Sequence, residues 1–110
     1  MTTKLFGRSC KPCKDGILPL TKKEAETLLK QLADWILDDS GIQISKVFRF
    51  KNFYQTISFI NAIAWIVNQE NHHPDLKISY NCCRVHFTTH SIQGLSENDF
   101  ICAAKIDQLI

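Results

Sequence analysis

The sequence lacks the long apolar run that a membrane-spanning helix requires. Its most apolar segment, residues 57–67, is interrupted by Ser58 and Asn61 and is shorter than the roughly 20 residues that cross a bilayer. The first 14 residues contain basic residues and only one apolar pair, Leu5-Phe6, so they do not form a secretory signal. We therefore expect a cytoplasmic protein with no membrane partner.

The sequence also lacks a strong charge of either sign. Thirteen basic and 11 acidic residues leave a formal net charge of +2, and the lysines form no basic run. The charge therefore favours no direct nucleic-acid partner. The five cysteines are an odd number and include the adjacent Cys82 and Cys83, which is not the pattern of a disulfide framework and favours a reducing compartment.

Residues 1–18 show no hydrophobic periodicity, and we expect them to form a flexible arm before a single domain at 19–110. The arm contains Cys10-Lys11-Pro12-Cys13. Such a pair can supply two thiolates to zinc, but a closed structural site needs four ligands and no second pair is present. Two free thiols are the simpler interpretation. The alternatives are half a metal site, completed by another subunit or another cysteine, and a redox dithiol.

Two helices have recognisable starts. Thr21 and Glu24 have the spacing of a capping box, followed by an apolar stripe that predicts a helix over 22–33. Asn52 is a plausible N-cap for a helix over 53–70, which is apolar on nearly all sides. A helix of that kind is buried on more than one side. In so small a domain, one face would cover the sheet and the other would face a second subunit, which predicts a homo-oligomer.

Alternating apolar residues predict four strands, at 35–37, 42–50, 76–80 and 83–89. In the second strand, the face towards the core comprises Ile42, Ile44, Phe48 and Phe50. In the fourth, it comprises Cys83, Val85 and Phe87. Asn81-Cys82 predicts a tight turn with asparagine in the left-handed conformation. Ser96 would cap a last helix whose apolar stripe extends to Ile110. The order α-β-β-α-β-β-α predicts an α+β fold, with a four-stranded antiparallel sheet and three helices packed on one face.

Three of the four histidines lie at the ends of these elements. His72 and His73 precede Pro74, and His90 follows the fourth strand. The three imidazoles could bind zinc, but neighbouring residues of an extended segment point in opposite directions, which disfavours one shared metal. They could act as a general acid and base around a pocket, with Asp75 at its rim. They could also be surface residues without a function.

Asp99 allows two interpretations. It is the third residue after Ser96, so it fits the acidic position of a capping box. A carboxylate there could also orient an imidazole and fix its tautomer.

The ordered motifs resemble those of the pterin-4a-carbinolamine dehydratases. The resemblance covers about residues 20–110 and includes the runs Glu70-Asn71-His72-His73-Pro74-Asp75, Tyr80-Asn81 and Thr89-His90, then Gly94-Leu95-Ser96-Glu97-Asn98-Asp99-Phe100. The sequence departs at Leu76, where many members have tryptophan, and at Asn98, where the animal proteins have arginine.

The resemblance implies dehydration of 4a-hydroxytetrahydropterin to quinonoid dihydropterin, with no metal or other cofactor. It also implies a homodimer or homotetramer that recycles the pterin of aromatic amino-acid hydroxylases. His72 and His90 would be the acid–base pair, and His73 chiefly a substrate contact. The remaining expected contacts with the pterin are Pro74, Asp75, Thr89, Ser91 and Asp99.

Two other functions follow from the same resemblance. Animal members also serve as dimerisation cofactors of a homeodomain transcription factor, so the apolar helix over 53–70 could bind a regulatory protein. A third possibility is a pterin-binding accessory protein with little turnover.

Overall fold

The predicted α+β architecture is confirmed. A computed structural model describes residues 5–11 and 17–110. In chain order the elements are α1 (Lys22–Leu29), β1 (Ile36–Leu37), β2 (Ile44–Arg49), α2 (Phe53–Glu70), β3 (Asp75–Ser79), β4 (Cys82–Phe87) and α3 (Glu97–Asp107). Short 3-10 helices lie at Leu5–Gly7 and His90–Ile92.

The four strands form one antiparallel sheet in the order β1-β2-β4-β3. Each predicted hairpin is present, and the two are joined through the pairing of β2 with β4. This places β4 in the interior of the sheet and β3 at an edge. The carboxyl end of β4 therefore lies beside the start of β3, where Asp75 pairs with His86.

The core lies between the sheet and the helices. Cys83, Val85 and Phe87 are fully buried, as their alternation along β4 predicted. The helix buried on most sides is α3, where every residue from Asn98 to Ala104 is buried. This helix packs against α2 and against the 3-10 helix at Leu5–Gly7.

Helix α2 has the predicted bounds. Asn52 caps it by accepting a hydrogen bond from the amide of Gln55 at 2.9 Å, and only one face is buried. That face comprises Thr56, Phe59, Ile63 and Val67. On the other side, Tyr54 and Trp65 are 81% and 67% exposed. Within one chain, one face of α2 is thus buried and the other is exposed, and a second subunit on the exposed face stays a prediction.

Two helix ends and a strand start were predicted wrongly. Helix α1 ends at Leu29 because the chain turns back to bury Trp35, whose indole N–H donates to Asp107 at the end of α3. Helix α3 ends at Asp107, so Ile110 lies outside it. Strand β2 starts at Ile44, since the Asp38 carboxylate accepts the amides of residues 42 and 43 and extends the turn; Ile42 is consequently 46% exposed.

The turn between β3 and β4 also differs from the prediction. It consists of Tyr80 and Asn81, and Asn81 has a negative φ. The carbonyl of Tyr80 accepts from the Thr56 hydroxyl at 3.0 Å, and that of Asn81 accepts from the Phe50 amide at 2.8 Å. These two contacts with α2 and the end of β2 hold the turn in place without a left-handed asparagine.

Residues 5–11 lie against α3. Leu5 is 2% exposed, Arg8 forms an ion pair with Glu97, and Lys11 exchanges backbone hydrogen bonds with the side chain of Asn98. Cys13 lies outside the described residues, so the choice between two free thiols, half a metal site and a redox dithiol for Cys10 and Cys13 stays open. The predicted boundary between an arm at 1–18 and a domain at 19–110 also stays a prediction. Among the described helices, none is both long and apolar enough to cross a bilayer.

One pH dependence follows from the sheet. Burial lowers the pKa of His86, and the positive charge of Arg84 lowers it further. The His86 imidazole therefore binds a proton more readily in the unfolded chain than in the folded protein. The contribution of neutral His86 to the unfolding free energy is complete above a pH of about 6.5 and is lost as the pH falls below that value. We expect His86→Gln to reduce the decline of the unfolding free energy between about pH 7 and 5, measured by urea denaturation.

The matched control is Ser45→Ala, because Ser45 is the cross-strand partner of His86 and does not titrate. It should keep the wild-type slope. Identical slopes for wild type and His86→Gln would contradict the prediction.

Candidate active site

Asp99 is a buried carboxylate at the start of α3. It has no solvent exposure, and its Oδ2 accepts hydrogen bonds from the Ser96 amide at 3.0 Å and the Thr89 hydroxyl at 2.8 Å. The predicted capping box is therefore present. Asp99, the acidic residue of this capping box, also binds Thr89 in the segment that follows β4. A helix cap alone does not require this second contact.

His72 supplies the third contact of this carboxylate. Asn71 ends α2 in the left-handed conformation, with φ of 52°, and turns the chain so that the imidazole points inward. His72 Nε2 lies 2.6 Å from Asp99 Oδ1, and the ring stacks on Phe87 with an interplanar angle of 8°. Only 12% of the His72 side chain is exposed. Both interpretations of Asp99 thus hold together: it caps α3 and it orients an imidazole.

The hydrogen bonds of Asp99 define the tautomer of His72. An ionised carboxylate only accepts hydrogen bonds, so Nε2 carries the proton that lies between the two groups. In the neutral imidazole, the lone pair is then on Nδ1. A histidine held in this way can accept a proton at Nδ1.

The loop after β4 positions His90 and Ser91. Thr89 and Gly94 form an isolated bridge, with the Thr89 amide 2.8 Å from the Gly94 carbonyl, and the 3-10 helix lies between them. A Cβ on residue 94 would lie 2.6 Å from Pro19 Cβ, so this position requires glycine. The loop is therefore held against the segment that precedes α1.

His90 lies in a second, exposed group. Its Nε2 is 3.8 Å from Asp75 Oδ2, and the two side chains are 77% and 72% exposed. His73 is exposed and Pro74 is half-buried. Neighbouring His72 and His73 thus differ in environment, as expected for adjacent residues of an extended segment.

A cleft of about 420 Å³ opens beside the buried pair. Its lining residues are Cys10, Lys11, Gln69, Glu70, Asn71, His72, Thr89, Ser91 and Asn98. Of the residues expected in the site, His72, Thr89 and Ser91 line this cleft. Asp99 lies behind His72. His73, Pro74, Asp75 and His90 are outside the lining.

Several residues of the cleft were not anticipated. The backbone amide of Cys10 donates to Glu70 Oε1 at 2.8 Å, and Asn98 binds Lys11 through both its amide atoms. The sequence signal for Glu70 was its place in the run that leads to His72 and His73. Nothing in the sequence around Cys10 and Lys11 indicated that these two residues line the cleft.

The donor atoms of this region are not arranged as a metal site. Within residues 5–11 and 17–110, no three His, Cys, Asp or Glu side chains are grouped closely enough to hold a metal ion.

The chain belongs to the pterin 4 alpha carbinolamine dehydratase family. The model of that family matches residues 18–109. A relative from Nitrosomonas eutropha is 60% identical over 107 residues, which are 96% of this chain and 93% of the relative. One from Legionella pneumophila is 50% identical over 111 residues, covering 100% of this chain and 98% of the relative. The names of both relatives refer to this family.

Two solved structures have a similar fold. A transcriptional coactivator/pterin dehydratase from Brucella melitensis is 31% identical, with a TM-score of 0.78 over 83% of this chain and 97% of the other. A pterin dehydratase-like protein described as a RuBisCO assembly factor in the alpha-carboxysome is 20% identical. Its TM-score is 0.61 over 70% of this chain and 89% of the other. At that identity the second comparison concerns the fold alone.

We expect Asp99→Asn to destabilise the protein by about 3 kcal/mol, because a buried amide cannot accept all three hydrogen bonds that the carboxylate accepts. Urea denaturation measures the loss. The control is Glu97→Gln, at an exposed acidic residue of the same helix whose ion pair should be worth about 1 kcal/mol or less. Equal losses in the two variants would contradict the role of the buried network.

Proposed function

We propose that this protein is a hydro-lyase that converts 4a-hydroxytetrahydropterin to quinonoid dihydropterin. The observation that carries the proposal is the buried His72–Asp99 pair on the wall of a cleft, in a chain of this family. The cleft volume lies within the range typical of small-molecule sites. The pathway would be the recycling of the pterin used by aromatic amino-acid hydroxylases in the cytoplasm.

The reaction needs two proton transfers. The bond between C4a and the hydroxyl oxygen breaks, and the oxygen takes up a proton and leaves as water. A ring nitrogen of the pterin loses a proton as the new double bond forms. Each transfer by a positioned side chain typically contributes about 10²–10⁴-fold to the rate. The reaction needs no covalent intermediate, so the cysteines have no part in it.

His72 is suited to accept the proton. Its Nε2–H is held by Asp99, which leaves the lone pair of Nδ1 for the substrate. As this imidazole becomes charged, the buried carboxylate 2.6 Å away stabilises it. His90 is then the proton donor to the leaving hydroxyl. The exposed position of His90 allows exchange of the proton with water after each turnover.

The other predicted contacts surround these two imidazoles. Thr89 and Ser91 line the cleft and would bind the polar edge of the pterin. His73, Pro74 and Asp75 lie outside the cleft lining, and Asp75 lies beside His90. These three residues would form the rim over the bound ring.

We expect His72→Ala and His90→Ala each to lower kcat/KM by about 10²–10⁴-fold, and His73→Ala to lower it less. The measurement is the decay of 4a-hydroxytetrahydropterin with and without protein, corrected for the spontaneous reaction. His86→Ala is the matched control, because His86 lies on the sheet between Gln43 and Asp75 and has no proposed role in the reaction.

Equal rates for wild type and His90→Ala would overturn this mechanism. Binding of the pterin without acceleration by the wild type would identify an accessory pterin-binding protein instead. Because both steps are proton transfers by side chains, the activity should survive dialysis against a chelator.

We also propose that the exposed face of α2 pairs with further copies of this chain in a dimer or tetramer. Tyr54 and Trp65 are exposed there, and Tyr54 borders an apolar groove that also includes Phe50 and Leu109. Large exposed aromatic side chains are typical of protein interfaces.

Trp65→Glu should shift the oligomer towards smaller species, because a charge would be buried in the proposed interface. Light scattering coupled to size-exclusion chromatography measures the mass. Lys23→Glu, an exposed change of charge on α1, should leave the mass unaltered. A monomeric wild type would contradict the proposal.

A further inference from the structure

Two cysteines from distant parts of the chain lie side by side at the cleft. Cys10 Sγ and Cys102 Sγ are 3.5 Å apart, although 92 positions separate them in the sequence. We propose that Cys10 and Cys102 are a redox-responsive pair, and that a peroxide oxidises them to a disulfide that locks residues 5–11 onto α3. This inference is independent of the reaction proposed above.

The fold holds each of the two cysteines in place. Cys102 is a fully buried residue of α3. Cys10 is held by the bond from its amide to Glu70, and its neighbours in sequence are anchored by Leu5, Arg8 and Lys11. A disulfide therefore requires the sulfurs to approach by less than about 2 Å.

The environments of the two thiols determine which of them reacts first with the oxidant. The hydrogen bond with Cys10 and then burial raise the pKa of the Cys102 thiol, so Cys102 retains its proton. Cys10 is half-buried and lines the cleft, so it is the sulfur that a small oxidant reaches first.

The oxidation proceeds in two steps with hydrogen peroxide as the oxidant. Cys10 sulfur attacks one peroxide oxygen, an S–O bond forms, the O–O bond breaks, and the departing hydroxide is protonated to water. Cys102 sulfur then attacks Cys10 sulfur, the S–S bond forms, and the S–O bond breaks. The second hydroxide leaves as water with the proton of Cys102. Two thiols and one peroxide give one disulfide and two waters.

The other described thiols are not placed for this reaction. Cys82 and Cys83 are adjacent in β4 and point to opposite faces of the sheet, so they do not face each other. Burial and the neighbouring Cys82 raise the pKa of the Cys83 thiol to about 11. These two cysteines provide internal controls.

The link can be identified by mass spectrometry of peroxide-treated protein. Trypsin does not cleave before Pro12, so Cys10 and Cys13 share the peptide 9–14, whereas Cys102 lies in 85–105 and Cys82 and Cys83 lie in 78–84. In the full-length Cys13→Ser variant, we expect peptide 9–14 to be joined to 85–105 and to be released by a reductant. The wild-type protein, treated with peroxide in the same way, should show the same link.

The stabilisation by the Cys10–Cys102 disulfide can be measured by thermal unfolding. Closing so long a loop of the chain should raise Tm by about 10 °C in the oxidised relative to the reduced protein. Cys10→Ser, at the half-buried member of the pair, should abolish this increase, and Cys82→Ser should keep it.

The proposal is overturned if the wild type forms a disulfide within peptide 9–14 instead. It is equally overturned if peptide 9–14 joins 78–84, or if Cys10 is converted only to sulfinic or sulfonic acid. A 10–102 link without an increase in Tm would overturn the locking of residues 5–11. None of these readouts depends on dehydratase activity.

Discussion

The structure depends on one buried carboxylate. A charged group without solvent contact is tolerated only where hydrogen bonds replace its hydration, and Asp99 receives them from Ser96, Thr89 and His72. These three partners come from the start of α3, the end of β4 and the segment after α2. The contacts that satisfy the charge therefore also determine where three elements meet. For that reason, the stability of the fold and the orientation of the buried imidazole rest on the same network.

The two proposed catalytic imidazoles differ in how they are held. His72 is stacked on Phe87, bonded to a buried acid and almost closed to solvent. His90 is exposed, in a short 3-10 helix, and its nearest acid, Asp75, is exposed as well. A fixed group suits a step that requires precise geometry, and an exposed group suits exchange with water. In the proposed reaction, the pterin itself would complete the arrangement by lying between the rigid side and the exposed side.

Residues 5–11 extend the site beyond the residues that the family model matches. The family model begins at residue 18, yet Cys10 and Lys11 lie in the wall of the cleft beside His72. Their contacts with Glu70 and Asn98 are polar, and Leu5 adds an apolar anchor on α3. The position where animal members have arginine is Asn98, and here its amide binds the backbone of Lys11. Asn98, which stands where the animal proteins have arginine, thus attaches a segment that the family model does not include.

Local patterns were sufficient for much of the fold. The capping residues Thr21, Asn52 and Ser96, and the alternation along β4, depend on neighbours within four positions, so the sequence determined them by itself. Tertiary structure decided the rest. The order of the strands, the early end of α1 where Trp35 reaches Asp107, and the bond between His72 and Asp99 all join residues far apart in the chain. No periodicity records such contacts, because they exist only once the elements have packed.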